Sequence, residues 1–405
     1  LRRRSGAFRS GGTSMCKIAF FCIPAQGHTN PTLEVVRELI ARGCEVRYYS
    51  YDALREKIEA AGAEFVSCDR YDSRQSLSPA DAGRVSRDLA FSTKLLVDMT
   101  LAMDGALCGE MREWGPACIV ADSMAPWGKL AALKLGIPFV SSTTTFAFNR
   151  YSAKIMKSGP GALLRTLAQT GRANRSVRRL REQGYPVKNA LALISNDNQT
   201  ETIVYTSREF QPCAETFSDR YTFVGPSVPP APLPALRPGG RNLYISLGTV
   251  LNDNGPFYRN CVQALSEGGF HTVLSVGDRF DPASLGPLPE NFRAERSVEQ
   301  LRVLEQTDVF LTHCGMNSVN EALYCGVPLV LFPQTAEQGG VARRVSEMGA
   351  GVYLKENSAP AIRAAVEEVL THPEYRERAR KLGEGFRCCG GARLAAEKIL
   401  AAAAK

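Results

Sequence analysis

The chain has little of what several functions require. It carries four histidines and two tryptophans in 405 residues. Its twelve cysteines include no C-x-x-C pair and no zinc spacing; Cys388 and Cys389 are merely adjacent. Scattered cysteines of this kind exclude a zinc framework and a disulfide scaffold, and read as reduced thiols of a cytoplasmic protein. No run of about 18 apolar residues occurs, so no membrane span is expected. No G-x-G-x-x-G follows a candidate strand and no Walker A sequence is present, which argues against a Rossmann dehydrogenase.

Charge of one sign is also scarce. There are 49 basic and 41 acidic residues, a net charge of +8. A nucleic-acid binder would show a denser basic stripe and a recognisable module, so no nucleic-acid partner is expected. The densest cluster runs from Arg165 to Arg181 and includes Arg172, Arg175, Arg178 and Arg179. Its bland reading is a solvated helix face or linker. Its sharper reading is a surface for an acidic acceptor or a membrane headgroup.

What is present is a hydrophobic content of 44%, enough for a sizeable core. The length suggests two or three domains. Residues 1–14 are basic, rich in Gly and Ser and non-periodic, and read as a disordered leader or tag before Met15. The apolar stretch after it is too short for a signal peptide and reads as a first strand. From there short apolar strands alternate with amphipathic helices, the pattern of parallel α/β sheets. KIAFFCI (17–23) is the first strand. A helix is expected from Pro31, capped by Asn30, with Leu33, Val36 and Ile40 on one face. Strands follow at 45–50, 118–122 and 138–142, with a helix at 126–136.

Between 215 and 241 the pattern gives way to YTFVGPSVPPAPLPALRPGGR. Proline supplies no backbone donor and disfavours helix and central strand, so 225–241 is the expected linker. The alternation then resumes, with strands at 242–248, 271–277, 308–313 and 327–333. Two similar α/β units result, at 15–224 and 242–374, with helices from 375 to 405. Ligands of open α/β sheets bind at the carboxyl ends of strands, so the expected site is the cleft between the units.

Four motifs fall at such ends. QGHTNP (26–31) places His28 after the first strand, where a side chain titrating near neutrality can take a proton from a hydroxyl. It can equally just bond the helix start. Asp122 ends the IVAD strand at the same edge. A carboxylate there fixes an imidazole tautomer, or simply caps the next helix. SLGTV (246–250) offers Gly248 for close backbone approach and the Thr249 hydroxyl; alone it is a turn. THCGMNSVNEALYCGVPLVLFPQTAEQGG (312–340) is the most informative. His313 ends a strand, Gly315 turns the chain, and Asn317 and Ser318 open a helix whose free amides suit a diphosphate. Glu321, one turn on, can accept from ribose hydroxyls, and Glu337 with Gln338 can grip adjacent sugar hydroxyls.

This last motif resembles the donor-binding signature of the family 1 UDP-glycosyltransferases, and within them the bacterial macrolide glycosyltransferases. The resemblance runs from Met15 to about Ala396, with QGHTNP, VADSMAPWG, SLGTV, GPFYRNCVQAL, SVEQLRVL and HCGMNSVNEALYCGVPLVLFPQTAEQ in the expected order. It implies a GT-B fold of two Rossmann-like domains, acceptor on the N-terminal one and donor on the C-terminal one, with the last helices, from about 375, packing back across the N-terminal domain. It implies inverting transfer of a hexose, most simply glucose from a UDP-sugar, without a metal or other cofactor; no D-x-D pattern stands where a donor-bound metal would need it. His28 would be the general base oriented by Asp122. Thr249, His313, Asn317 and Ser318 would bind the diphosphate, Glu321 the ribose, and Glu337 and Gln338 the sugar. Gln300 would lie near the base. Relatives stack the base on an aromatic residue three positions earlier; here that position is Ser297, with Arg296 beside it as a substitute platform. Candidate acceptor contacts are Met99, Met103, Trp127, Phe146 and Phe148, against the alternative that they are core. The acceptor is expected to be a small, largely apolar alcohol such as a polyphenol, macrolide or other polyketide, handled by a monomer or weak homodimer. A nucleotide-sugar epimerase and a non-catalytic nucleotide-sugar binder are the competing readings.

Overall fold

The computed structural model describes residues 15–71, 84, 88–149, 151–152, 160–194, 196–229, 231–232, 234–235 and 240–405. The expected leader at 1–14 lies outside them.

Seven strands form the first sheet: β1 (Lys17–Phe21), β2 (Glu45–Ser50), β3 (Glu64–Ser67), β4 (Cys118–Asp122), β5 (Phe139–Thr143), β6 (Thr202–Val204) and β7 (Tyr221–Phe223). All pair in parallel, in the order β3-β2-β1-β4-β5-β6-β7. Side chains alternate across this sheet. Ile18, Phe20 and Cys22 join one core, Ala19 and Phe21 another. Helix α1 (Gln26–Ala41) covers the first face, and α3 (Leu89–Trp114) with α4 (Pro126–Leu135) the second. The short α2 (Arg55–Ala60) links β2 to β3; α5 (Pro160–Glu182) and α6 (Leu191–Ile194) lie between β5 and β6 in the chain. On α5, Ala173, Val177 and Leu180 are buried while Arg172, Arg175, Arg178 and Arg179 are exposed, which makes the basic cluster the outer face of an amphipathic helix.

The second sheet holds β8 (Asn242–Ser246), β9 (His271–Ser275), β10 (Phe292–Glu295), β11 (Val309–Thr312), β12 (Leu329–Leu331) and β13 (Gly351–Tyr353). It is again parallel, in the order β10-β9-β8-β11-β12-β13. Its helices are α7 (Gly255–Leu265), α8 (Gln300–Leu304), α9 (Met316–Tyr324), α10 (Ala336–Glu347), α11 (Ala359–Thr371), α12 (Pro373–Arg387) and α13 (Gly391–Ala403). Helices α7 and α11 cover one face; α9, α10 and α12 cover the other. Both sheets reverse their strand order once, between β1 and β4 and between β8 and β11. Crevices at such reversals are where parallel α/β sheets bind ligands.

Three features differ from the sequence reading. Helix α1 starts at Gln26, not at Pro31: Ala25 is the extended cap, and the amides of His28 and Thr29 both bond its carbonyl, at 3.0 and 3.1 Å. Pro31 is therefore inside the helix and Asn30 caps nothing. The C-terminal helices divide. Helix α12 packs on the second domain through Ala379 and Leu382 while its Phe386 meets Phe210 of the first, and α13 packs on the first, burying Ala395, Ala396, Ile399 and Ala402 beside Val36 and Leu39. The domains also share an aromatic seam, in which Phe146 and Phe210 of the first meet Phe386 of the second. The described residues between β7 and β8 are neither helix nor strand. They are tied to the second domain by Arg387 Nε, which donates to Ala231 O, and by Arg380 Nη1, which donates to Pro234 O.

Candidate active site

The reversal in each sheet aims its strand ends at one cavity of about 850 Å³ between the domains. From the first domain it is lined by Gln26, Gly27, His28, Lys57, Thr144 and Thr145. From the second it is lined by the loops after β8 and β11, by α8, and by Glu337 and Gln338.

His28 and Asp122 come from sequence positions 94 apart and meet because β1 and β4 are neighbours across the reversal. Nδ1 of His28 is 2.8 Å from Asp122 Oδ2. The carboxylate is buried, and its other oxygen accepts from the Met124 amide at 2.7 Å. A fixed acceptor on that side makes Nδ1 the donor and leaves Nε2 as the basic nitrogen. Thr144 Oγ1, at the end of β5, lies 3.0 Å from the same Nδ1. Burial pulls the imidazole down; the charge and hydrogen bond of Asp122, with Glu337 adding its charge from the second domain, outweigh that and hold it above its ordinary value.

The second domain presents a different kind of surface. After β8 the chain turns at Gly248 with φ +76°, and after β11 it passes through Cys314 at φ 65° and Gly315. Positive φ at a buried cysteine is backbone strain of the sort that collects at functional turns. The two glycines flank the His313 ring: a Cβ on either would come within 2.5 Å of Nε2. His313 Nδ1 is buried with no partner at good hydrogen-bond geometry, and burial, opposed by the nearby Ser246 carbonyl, pushes the imidazole down to about 4, so it is neutral at pH 7. Helix α9 begins at Gly315 with no side-chain cap. Its first amides are left for an outside acceptor, beside His313, and its positive dipole end favours an anion.

One turn on, Glu321 accepts from Gln300 Nε2 at 2.7 Å, and Gln300 accepts from Tyr244 Oη at 3.1 Å. Gln300 Nε2 is also 3.4 Å from Ser318 Oγ. Burial pushes Glu321 up to about 7, with the Gln300 bond working against the rise. Asn317 reaches across the cleft: its Nδ2 donates to Gly27 O at 2.6 Å. Gln338 has a structural task as well. Its Oε1 accepts from the Gln334 and Thr335 amides while Thr335 Oγ1 accepts from the Gln338 amide, a capping box at the start of α10. That box is legible as T-x-x-Q in the sequence. Thr249 and Ser297 line the cavity; Arg296 does too, but its guanidinium is engaged by Asp278 O and Asp281.

The acceptor residues proposed from sequence are mostly elsewhere. Met99, Met103 and Trp127 are buried in the core between the first sheet and α3, and Phe146 is in the interdomain seam. Phe148 is 39% exposed, yet it is not among the described residues that line the cavity. Met99 and Met103 belong to an i, i+4 stripe of α3 with Leu107 and Met111, which supports the core alternative. What the sequence reading missed on the first domain's wall of the cavity is polar: Thr144, Thr145, and Lys57, whose Nζ donates to Gln26 Oε1 at 3.0 Å.

Two parallel-sheet domains closing on one cavity, with a histidine–carboxylate pair on one side and an open helix start on the other, define a glycosyltransferase of the GT-B fold. Comparison with solved structures agrees: the glycosyltransferase of kitacinnamycin superposes with a TM-score of 0.79 at 30% identity, over 96% of this chain and 99% of that one. Residues 270–388 match the family model of the erythromycin biosynthesis protein CIII-like C-terminal domain. The UDP-glucosyltransferase YojK of Bacillus subtilis (strain 168), itself uncharacterized, is 32% identical over 403 residues, covering 96% of this chain and 98% of its own. Demethyllactenocin mycarosyltransferase of Streptomyces fradiae is 33% identical over 410 residues, covering 97% and 89%. The chain belongs to the family 1 UDP-glycosyltransferases, in their bacterial macrolide-type branch.

Proposed function

We propose that this glycosyltransferase moves a hexose, most simply glucose from UDP-glucose, onto a hydroxyl of a small and largely apolar acceptor, with inversion and without a metal. The observation that carries this reading is the His28–Asp122 pair at 2.8 Å, facing the uncapped start of α9. His28 Nε2 takes the acceptor proton as the hydroxyl oxygen attacks the anomeric carbon. The bond from that carbon to the diphosphate breaks on the opposite face, and the diphosphate leaves with the bonding electrons. General-base assistance of this kind is worth about 10²–10⁴-fold. His313 as a neutral donor, Ser318 and the first α9 amides stabilise the charge on the leaving group. Glu321 accepts from the ribose hydroxyls, Gln300 stands at its side towards the base, and Glu337 with the free amide of Gln338 meets the sugar.

The relatives' names cover different sugars, a glucosyl group in one and a mycarosyl group in another. The donor assignment therefore rests on the carboxylate pattern and the family signature. Twelve free thiols support a reducing, cytoplasmic setting, and no helix among the described residues is long and apolar enough to cross a membrane. The catalytic unit is taken as one chain, since both halves of the cavity come from it.

The test is mass spectrometry of products from UDP-glucose and a pooled panel of phenolic and polyketide alcohols, with and without EDTA. A hexose-sized mass gain that survives EDTA supports the whole reading. A gain lost on chelation overturns the metal-independent mechanism. No gain from UDP-glucose, with a gain from a thymidine diphosphate sugar, reassigns the donor.

A further inference from the structure

Helix α1 has a hole in its hydrogen-bond ladder. Pro31 carries no N–H, so the carbonyl four residues earlier, that of Gly27, loses the amide that would serve it in a regular α-helix. That carbonyl is the one to which Asn317 Nδ2 donates, at 2.6 Å, from the second residue of α9 in the other domain. Approach is close enough that a Cβ on Gly27 would lie 3.8 Å from the same Nδ2. Gly27 immediately precedes His28, and His28 is locked into the same turn by its amide, which bonds Ala25 O at 3.0 Å. The bond thus joins the turn that carries the base to the helix start that faces the diphosphate. An amide nitrogen has two hydrogens; one is spent on Gly27, and the other remains for the donor.

We propose that Pro31 and Asn317 act as one positioning device: proline keeps the Gly27 carbonyl open, and the asparagine of the donor domain uses it to set the base relative to the bound sugar. An ordinary residue at position 31 would supply its own N–H, and the helix would compete for the carbonyl. The bond joins the two domains, so separating them would break it, and it ties alignment of His28 to their contact. This rests on His28 being the base. It adds a role for Asn317 that diphosphate binding does not imply.

A double-mutant cycle on the intact protein tests it. Asn317→Ala is expected to lower kcat about tenfold to a hundredfold, as small misplacements of reacting groups do. UDP affinity, measured by calorimetry, falls by less than kcat does, about threefold to tenfold, because only one of several diphosphate donors is lost. The share of donor lost to hydrolysis rises as alignment loosens. Pro31→Ala lowers kcat by about threefold to tenfold on its own, through partial competition by the restored helical bond. The decisive result is the pair: Pro31→Ala adds nothing to Asn317→Ala, since the carbonyl it would occupy has already lost its partner. Circular dichroism of each variant separates misfolding from misalignment, and Asn317→Leu, which is of similar size but lacks the donor and adds no charge, behaves as Asn317→Ala. Multiplicative losses in the double variant overturn the proposal. So does an Asn317→Ala loss that appears wholly in UDP affinity. Full turnover by His28→Ala in the same assay would instead sink the base assignment, a separate failure.

Discussion

The two walls of the cleft are prepared in opposite ways. On the first domain the reactive groups are already partnered: His28 bonds Asp122, Asp122 bonds a backbone amide, and Thr144 closes the same nitrogen. On the second they are left wanting. His313 Nδ1 has no partner at good hydrogen-bond geometry, the α9 amides have no cap, and Glu321 is held near 7 by burial with one amide bond to offset it. A base must be in its correct tautomer before the substrate arrives, so its partners belong to the protein. A donor site gains affinity and selectivity when its buried polar groups are satisfied by the ligand rather than by each other. On the proposed function the first wall serves geometry and the second binding, and variants should divide accordingly between kcat and donor affinity.

The largest effect is expected at the partnered wall. His28→Ala should lower kcat about 10²–10⁴-fold while UDP affinity by calorimetry holds within about threefold. Asp122→Asn should fall in the same range, and it carries a pH signature. With Asp122 intact the imidazole titrates above its usual value, so turnover keeps rising with pH past the ordinary histidine range before it levels off, as neutral His28 accumulates. Removing the carboxylate leaves burial as the main influence, and the acid limb of the pH–rate profile moves down. An unshifted limb would mean that another group titrates there. Equal losses in kcat and UDP affinity would break the contrast between the walls.

The next effect belongs to the open wall. Gly315→Ala leaves the backbone at an unremarkable φ of −62° but drives a methyl to 2.5 Å from His313 Nε2. UDP affinity should fall about tenfold to a hundredfold as the ring is displaced from the diphosphate. Circular dichroism should be unchanged. Gly248→Ala meets the same atom at 2.5 Å and adds the cost of φ +76°, so it should lose stability as well. Retained affinity in Gly315→Ala would show that His313 is not a diphosphate donor.

How much of this was legible in the sequence also differs between the walls. The donor wall is written locally: His313, Gly315, Asn317, Ser318 and Glu321 fall within nine residues, on one strand end and one helix start, where spacing fixes geometry. The His28–Asp122 pair was legible as two strand ends, because parallel strands deliver their carboxyl ends to one edge. Thr144, which meets the same imidazole, was not, since it is the fourth residue of an SSTTT run in which no hydroxyl is distinguished by pattern. The acceptor side failed for a physical reason. Met99 and Trp127 are apolar residues at helical spacing, and that spacing serves a core as well as a pocket; only three-dimensional burial tells them apart. Helix α1 was misplaced by five residues because proline is commonest at a helix start, and nothing local signals that Pro31 is tolerated within one. The two domains sharing Phe146, Phe210 and Phe386 could not be read either, since such contacts join positions far apart in the chain.

The smallest effect sharpens the contrast by titrating the open wall. Glu321 is held up to about 7 in the empty protein. Its ordinary value is near 4.5, so between the two the folded state keeps a proton that the unfolded state has lost. Stability from this group therefore falls as pH rises through that window, and its full cost is present above 7. Ribose hydroxyls that donate to the carboxylate offset the cost, so UDP should bind more tightly as pH rises from 6 to 8, by about tenfold at most. Glu321→Gln removes the titration. Against the parent protein it should lose that part of the pH dependence, bind UDP more weakly at pH 8, and gain more in melting temperature at pH 8 than at pH 5. Calorimetric titrations of both proteins at three pH values decide it, because the diphosphate's own protonation is common to the two and cancels in the ratio. A ratio that does not change with pH would mean that Glu321 is neutral in the complex, donating to the ribose rather than accepting from it. The open wall would then be filled by the ligand without being charged first.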